Sequence, residues 1–438
     1  MKRILIAVMA CMSVVSSFAE GYQINTLSAK QIGMGHVGVG MKLGAESMIF
    51  NPAGLGFSDK TLDLSGSVAG IKANASAIHE GVTTKTDNGV STPFALNASF
   101  KIYDNLQCGI SFYTPYGSSI NWGDNWSGAV LNQKVDLKTF TVQPTFAWRI
   151  TPKLSVGAGI MVSWGSVDLY KGLVTPQSVD GMLQMMGQQP MFGNTTPASV
   201  NLKGTADVAV GVNLGVMYDI NRQWTVGINW RSCQMMKVTR GDASVSYANE
   251  AAKNLLESKL GLINNANFKA EMPMPQIIQA GVSYKPTDRW VVAFDAQFTG
   301  WKTYKQLDIE FLDEKLTGFD QHLAKNYHNA WCFHLGAQYA LTKRFDVRAG
   351  VMIDTTPCDK NYYNPETPGM TKIEPSAGFS FRPIDRLSID FAFMYVAGLG
   401  RDGATGYYED FVSQKNVPFA ADYRVHAFVP SIGLNYCF

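Results

Sequence analysis

Charge is scarce in this 438-residue chain: Asp, Glu, Lys and Arg make up 16% of it, against about 25% in ordinary soluble domains. The few charges also balance, because removing Lys2 and Arg3 with a leader leaves as many bases as the 35 acids. A balanced chain without basic clusters gives a nucleic acid no footprint, so none is expected as a partner. Cysteine is thin as well. Cys11 leaves with the leader, and Cys108, Cys233, Cys332, Cys358 and Cys437 are widely spaced with no CxxC pair. They read as structural filler, with one disulfide left open. His36, His79, His322, His328, His334 and His426 show no HExxH or other metal spacing, and there is no GxSxG elbow. No metal, cofactor or catalytic residue is therefore expected, and the chain does not read as an enzyme. After the leader no apolar stretch approaches the roughly 20 residues of a helical membrane span, so any hold on a membrane must come from something other than helices.

What is present begins with an export signal. Met1-Lys2-Arg3 is a basic n-region, Ile4 to Val15 is apolar, and Ser17-Phe18-Ala19 places small residues for cleavage before Glu20. Residues 1–19 are therefore expected to be removed. The other reading, acylation at Cys11 after Met9-Ala10, requires a very short apolar region. Aromatics reach 12%, Gly numbers 41 and mean hydropathy is −0.04. That combination fits a large β-structure that is apolar on alternate residues.

Period-two alternation recurs from about residue 60 to the last residue. In one run Phe345, Val347, Ala349, Val351 and Ile353 oppose Asp346, Arg348, Gly350, Met352 and Asp354. One face is apolar and aromatic while the other carries Gly, Ser, Thr and isolated charges, as in a strand with lipid outside and a polar lumen inside. Fourteen such strands are predicted, near 61–78, 93–103, 105–115, 136–150, 154–168, 200–220, 223–239, 274–286, 289–304, 329–341, 344–354, 371–382, 386–397 and 424–438. Tight links such as Asp104-Asn105, Asn221-Arg222 and Thr342-Lys343 alternate strictly with long ones. The fold class is thus all-β: an antiparallel transmembrane barrel over 61–438, with both termini and the tight turns periplasmic, in the outer membrane of a Gram-negative bacterium. Lipid and lipopolysaccharide are its expected surroundings. The last strand ends in Phe438, which resembles the sorting signal of outer-membrane proteins and implies the barrel-assembly machinery as a partner.

Residues 20–60 are different: Gly-rich, with neither alternation nor a long helical pattern. Gly33-Met34-Gly35-His36-Val37-Gly38 matches GxGxxG literally. Without a preceding buried strand and a following helix in a βαβ unit it carries no dinucleotide reading. A compact plug, or hatch, inside a lumen too wide for side chains to fill is the better expectation.

Gly21-Tyr22-Gln23, the run Gly33 to His36, and Asn51-Pro52-Ala53-Gly54 together resemble the FadL family of outer-membrane fatty-acid and hydrocarbon transporters. Thr114-Pro115-Tyr116-Gly117 with Asn121-Trp122, Met272-Pro273, and Phe298-Thr299-Gly300-Trp301 extend the resemblance over the mature chain. It implies a 14-stranded barrel with an N-terminal hatch and passive uptake of hydrophobic molecules without ATP. It also implies outer loops that capture the substrate, and an N-terminus that reaches the ligand pocket. A kink in the third strand would open the wall beside the hatch. On that basis the gate falls to Gly21, Tyr22, Gln23, Asn51, Pro52, Ala53, Gly109 and Pro115, with Leu106 to Tyr116 as the third strand. Gly109 lacks a side chain and Pro115 cannot donate a ladder hydrogen bond, so pairing there is weak.

The outer loops near 170–199 and 240–273 read as the longest. The first carries Met182, Met185 and Met186, whose flexible, polarizable side chains suit promiscuous apolar binding. In the second, Leu255 and Leu256 lie in a short amphipathic helical pattern. The same residues would serve equally well to cap the barrel. By parity Arg231, Lys237, Lys203 and Arg348 point inward, where a cation could meet a carboxylate headgroup or pair with Asp207 or Asp295. A general diffusion porin is the alternative reading, and a barrel hydrolase a more distant one.

Overall fold

The computed structural model describes residues 21–260, 265–410 and 415–438; the leader, Cys11 and the cleavage site before Glu20 lie outside the described residues. The chain forms one closed antiparallel barrel of fourteen staves. In chain order the first five are Leu62–Ala69 with Lys72–His79, Phe94–Tyr103, Leu106–Tyr113 with Gly117–Asn121, Lys134–Arg149, and Leu154–Gly172. The next four are Ala198–Asp219, Trp224–Arg231 with Gln234–Tyr247, Ala266–Met274 with Ile277–Thr287, and Trp290–Thr299 with Gln306–Phe311. The last five are Ala330–Thr342, Phe345–Asp354, Lys372–Ile384, Leu387–Gly398 and Lys415–Cys437. Asp63 to Ala69 of the first stave pair with Ser431 to Cys437 of the fourteenth, which removes the open edge. The tight turns share one rim with both ends of the barrel, where Thr61 N donates to Phe438 O at 3.1 Å.

The two faces follow the alternation. On the sixth stave Val208, Val210, Val212, Leu214, Val216 and Tyr218 are exposed on the outside, while Ala209, Asn213 and Met217 are buried inside. On the eleventh, Asp346, Arg348, Met352 and Asp354 are buried and Ile353 is outside. Arg348 bonds Gln338 at 2.8 Å and lies 3.4 Å from Asp390 and 3.6 Å from Asp346, so its charge is spent on the wall itself. Aromatic pairs crowd the outer face near the tight-turn rim: Trp224 on Tyr284 at 4.3 Å, Trp290 on Tyr339 at 4.7 Å, Phe345 on Phe379 at 5.4 Å. Such a girdle sits where lipid tails give way to headgroups.

The lumen holds residues 21–58. A Gly-rich segment with only short helical turns (Ala29–Ile32, Gly44–Glu46, Ser47–Phe50, Pro52–Phe57) must find partners for its backbone elsewhere, and the inward polar residues of the wall supply them. Ala29 N donates to Ser67 Oγ at 2.7 Å, Gly35 N to Ser376 Oγ at 3.0 Å, and Ala45 N to Asp63 at 2.9 Å. Ser283 Oγ and Gln143 Nε2 donate to Gly40 O at 2.7 Å and Met48 O at 2.8 Å. Close approach is possible because the wall has a row of inward positions without side chains. Gly157 faces Gly215 across the fifth and sixth staves and Gly227 faces Gly281 across the seventh and eighth, the two pairs being offset by two residues because Gly227 is opposite Met217. Asp295 and His334 continue that row onto the ninth and tenth.

Two expectations need correction here. The third strand does not run unbroken to Tyr116: it stops at Tyr113 and resumes at Gly117. The fourth outer loop is much shorter than 240–273, because cross-strand bonds carry its flanking strands out to Tyr247 and back from Ala266. The helix expected within it forms as Glu250–Leu260.

Candidate functional site

The break in the third stave has a local cause. The second stave starts at Phe94, where Thr114 N donates to Phe94 O at 3.2 Å. Beyond that point Pro115 and Gly117 have lost their neighbour on one side. On the other side, Thr139 holds Tyr116 through Oγ1, which accepts from Tyr116 N at 3.0 Å. The N-terminal tail takes the vacant side. Ile24 N donates to Pro115 O at 2.9 Å, Gly117 N donates to Tyr22 O at 2.8 Å, and Gln23 faces Tyr116 in an antiparallel bridge. The tail thus adds a short strand where the wall lacks one.

From that position Tyr22 enters an aromatic cage. Its ring lies 4.7 Å from Trp301 edge to face, 5.8 Å from Tyr304 and 6.0 Å from Tyr116, and Tyr327 backs Tyr304 at 5.1 Å. Gly21 has φ +62° and lies flat on Trp301, where a Cβ would come within 2.8 Å of the indole. The Tyr22 hydroxyl donates to Pro273 O. The rings of Tyr22 and Tyr304 are both almost wholly buried.

Tyr22 and Tyr304 line one end of an apolar cavity. Its walls include Leu137, Val167, Leu202, Met236, Phe268, Met272 and Met274 from the fourth to eighth staves. Beneath the tail lies a smaller, more polar space, lined by Gln23, Asn25, His36, Arg231, Gln279 and Gln297 together with Ile24, Ile49 and Phe50. The tail separates the two.

Deeper in the lumen the segment is held at the row of glycines. Gly38 N and Val39 N both donate to the Asp295 carboxylate, at 2.6 and 2.9 Å, and His334 Nδ1 meets Gly35 O at 2.9 Å. The stretch that matches GxGxxG does cradle an anion, but the anion is a wall carboxylate. Asn51 caps the turn Pro52–Phe57 by accepting from Ala53 N at 3.1 Å, while its Nδ2 donates to Val39 O at 2.9 Å and Val216 O at 3.1 Å. Pro52 follows at the first helical position, where its missing N–H costs nothing. The Asn51-Pro52-Ala53 turn lies against Gly157, Gly215 and Gly227; Gly109 instead meets the Met48 side chain.

The other anticipated residues are dispersed. Arg231 points inward and donates to Ile49 O. Lys237 does not: it is exposed on the outside and pairs with Glu271 at 2.7 Å. Lys203 and Asp207 are also exposed. Parity had been carried through irregularities that reverse it, namely the interruption at Ser232-Cys233 in the seventh stave and a shift opposite Ser163 to Gly165 in the sixth. Met182 and Leu255 are half-buried and Leu256 fully buried in the apolar cap, whereas Met185 and Met186, the last residue and the C-cap of the helix Pro176–Met185, are 84% and 48% exposed. None of these five lines the cavity. The cage residues Trp301, Tyr304 and Tyr327 carry no sequence signal of their own beyond the stretch ending at Trp301.

Comparison with known proteins gives this architecture a family. The model described as outer membrane protein transport protein (OMPP1/FadL/TodX) matches residues 9–438. A long-chain fatty acid transport protein of Escherichia coli is 22% identical over 410 residues, covering 90% of each chain. Outer membrane protein P1 of Haemophilus influenzae is 24% identical over 337 residues, 74% of this chain and 70% of that one. Among solved structures, a Pseudomonas aeruginosa FadL homologue superposes with a TM-score of 0.80 at 17% identity, covering 95% of this chain and 99% of that one. The Pseudomonas putida toluene transporter TodX gives 0.70 at 16% identity, covering 94% and 99%. The chain belongs to the OMPP1/FadL/TodX family of outer-membrane transport proteins.

Proposed function

We propose that the protein takes hydrophobic molecules, long-chain fatty acids or similar hydrocarbons, passively across the outer membrane, with residues 20–60 acting as a hatch after loss of residues 1–19. The observation that carries this reading is the position of the tail: one short strand both completes the third stave and walls the apolar cavity. Displacing Tyr22 to Ile24 would open the cavity and unseal the wall at Pro115 in a single movement. A substrate leaving sideways there reaches lipid without first entering aqueous periplasm, which an apolar chain would do at a cost of about 0.8 kcal/mol per CH₂. Asn51, Pro52 and Ala53 hold the hatch at the glycine row, and Gly109 gives Met48 its seat. Arg231 would attract a headgroup that passes the tail. Lipopolysaccharide and lipid surround the barrel, and the strand ending at Phe438 engages the assembly machinery. A general porin needs an open aqueous eyelet, whereas this lumen is occupied. Cells with and without the protein should differ in uptake of radiolabelled oleate or toluene and not in uptake of a small sugar; a difference for sugar alone would favour the porin.

Capture outside falls to the exposed Met185 and Met186, backed by Met182, Leu255 and Leu256 in the cap. Replacing Met185 and Met186 by Ser should leave folding unchanged, since both lie at the surface, and should weaken binding of a long-chain ligand several-fold, as each lost CH₂ contact is worth about 0.8 kcal/mol. Leu256→Ser should instead destabilise the cap, because that side chain is fully buried. Unchanged ligand binding in the double Met variant would reduce these loops to a lid.

A further inference from the structure

We propose that the cavity takes uncharged apolar molecules, hydrocarbons and their neutral alcohols, in preference to ionised fatty acids. This rests on the uptake reading above and names its substrate class. The warrant is the charge inventory of the lining. One lysine and two glutamates are among the lining residues, and each is already matched: Lys138 to Asp136 at 2.8 Å, Glu271, whose carboxylate turns outward, to Lys237 at 2.7 Å, and Glu366 to Lys325. Lys325 is almost wholly buried and does not itself line the cavity, whereas its partner Glu366 does. An incoming carboxylate would therefore be desolvated among Met, Leu and aromatic side chains beside a fixed carboxylate, with no free cation among the described lining residues. Burying an ion unpaired is among the most expensive events in a protein interior.

The cation with spare capacity lies elsewhere. Arg231 has a buried Nε without a partner, but it borders the polar space beneath the tail, on the far side of Tyr22. An anionic headgroup could reach it only after the tail has moved. A neutral molecule meets no such mismatch, because the cage offers ring faces and edges and the walls offer three methionines.

The test compares hexadecan-1-ol with hexadecane-1-sulfonate, which has the same chain length and a permanent charge, by competition on the full protein in nanodiscs, corrected for partition into empty discs. The alcohol is expected to bind about tenfold tighter or better. Glu366→Gln releases Lys325 and should narrow the gap, while Lys325→Gln leaves Glu366 unneutralised and should widen it; opposite movements exclude a general loss of folding. Equal affinities in the unmodified protein, or sulfonate binding that Arg231→Gln weakens, would overturn the charge inference while leaving uptake in place. Ala270→Trp, which fills the cavity, should abolish alcohol binding. If it does not, the ligand sits elsewhere, and the cavity reading falls together with this one.

Discussion

A disulfide between cysteines placed at Gln23 and Tyr116 should stop uptake of an apolar substrate, and reduction should restore it. The two residues form the bridge that joins the tail to the third stave. The flanking bonds, Ile24 N to Pro115 O and Gly117 N to Tyr22 O, make them a non-hydrogen-bonded antiparallel pair. Such pairs bring Cα atoms to about 4.5 Å, within the range a disulfide spans without strain. The cross-link would fix the one element whose movement both opens the cavity and unseals the wall. Uptake should fall at least about tenfold, corresponding to roughly 1.4 kcal/mol or more on the opening step, while binding at the outer loops persists. The reduced double variant is the baseline, because Tyr116→Cys also removes a ring from the cage, and Cys233→Ser in the background removes the exposed native thiol. Transport at the baseline rate by oxidised protein, with the cross-link confirmed by mass spectrometry, would mean that the tail is not the gate.

Much of the barrel was legible in the sequence because a wall between lipid and a polar lumen imposes a two-residue period that few other folds sustain over so many strands. Leu62 to Phe438 alternate almost throughout, and the tight turns at Asn105, Asn221 and Lys343 stand where the polar pairs announced them. The cavity was harder to read for the same reason. A bulge or break adds a residue and exchanges inside for outside, so parity counted through Ser232-Cys233 placed Lys237 in the lumen when Met236 is there. The cage was not legible, since Tyr22, Tyr116 and the Trp301-to-Tyr304 stretch are far apart in the chain and meet only once the staves are closed. The glycine row was hidden differently. Gly157, Gly215, Gly227 and Gly281 each look like ordinary strand glycines, and only the strand pairing gathers them, Gly157 with Gly215 and Gly227 with Gly281, into a seat for the hatch.

That seat gives the second large effect. In Gly227→Val the new Cβ would lie 2.1 Å from Val39 O and 2.7 Å from Asn51 Nδ2, far inside contact distance. Neither neighbour can swing aside, since Val39 O is backbone and Asn51 is fixed by its bonds to Val39 O, Val216 O and Ala53 N. Overpacking of this kind costs about 1–3 kcal/mol. Here the cost is relieved most simply by moving the segment, because the wall is locked into antiparallel ladders on both sides of Gly227. The variant should therefore keep its barrel, seen as an unchanged heat-dependent shift in gel mobility, yet leak small hydrophilic solutes and show raised conductance in planar bilayers. Ile228→Val, one residue on and facing lipid, should do neither. Asn51→Ala approaches the same state without a clash by removing three hydrogen bonds worth about 1 kcal/mol each, and should leak less than Gly227→Val. A folded Gly227→Val barrel that neither leaks nor changes its uptake would show that the hatch does not need this seat.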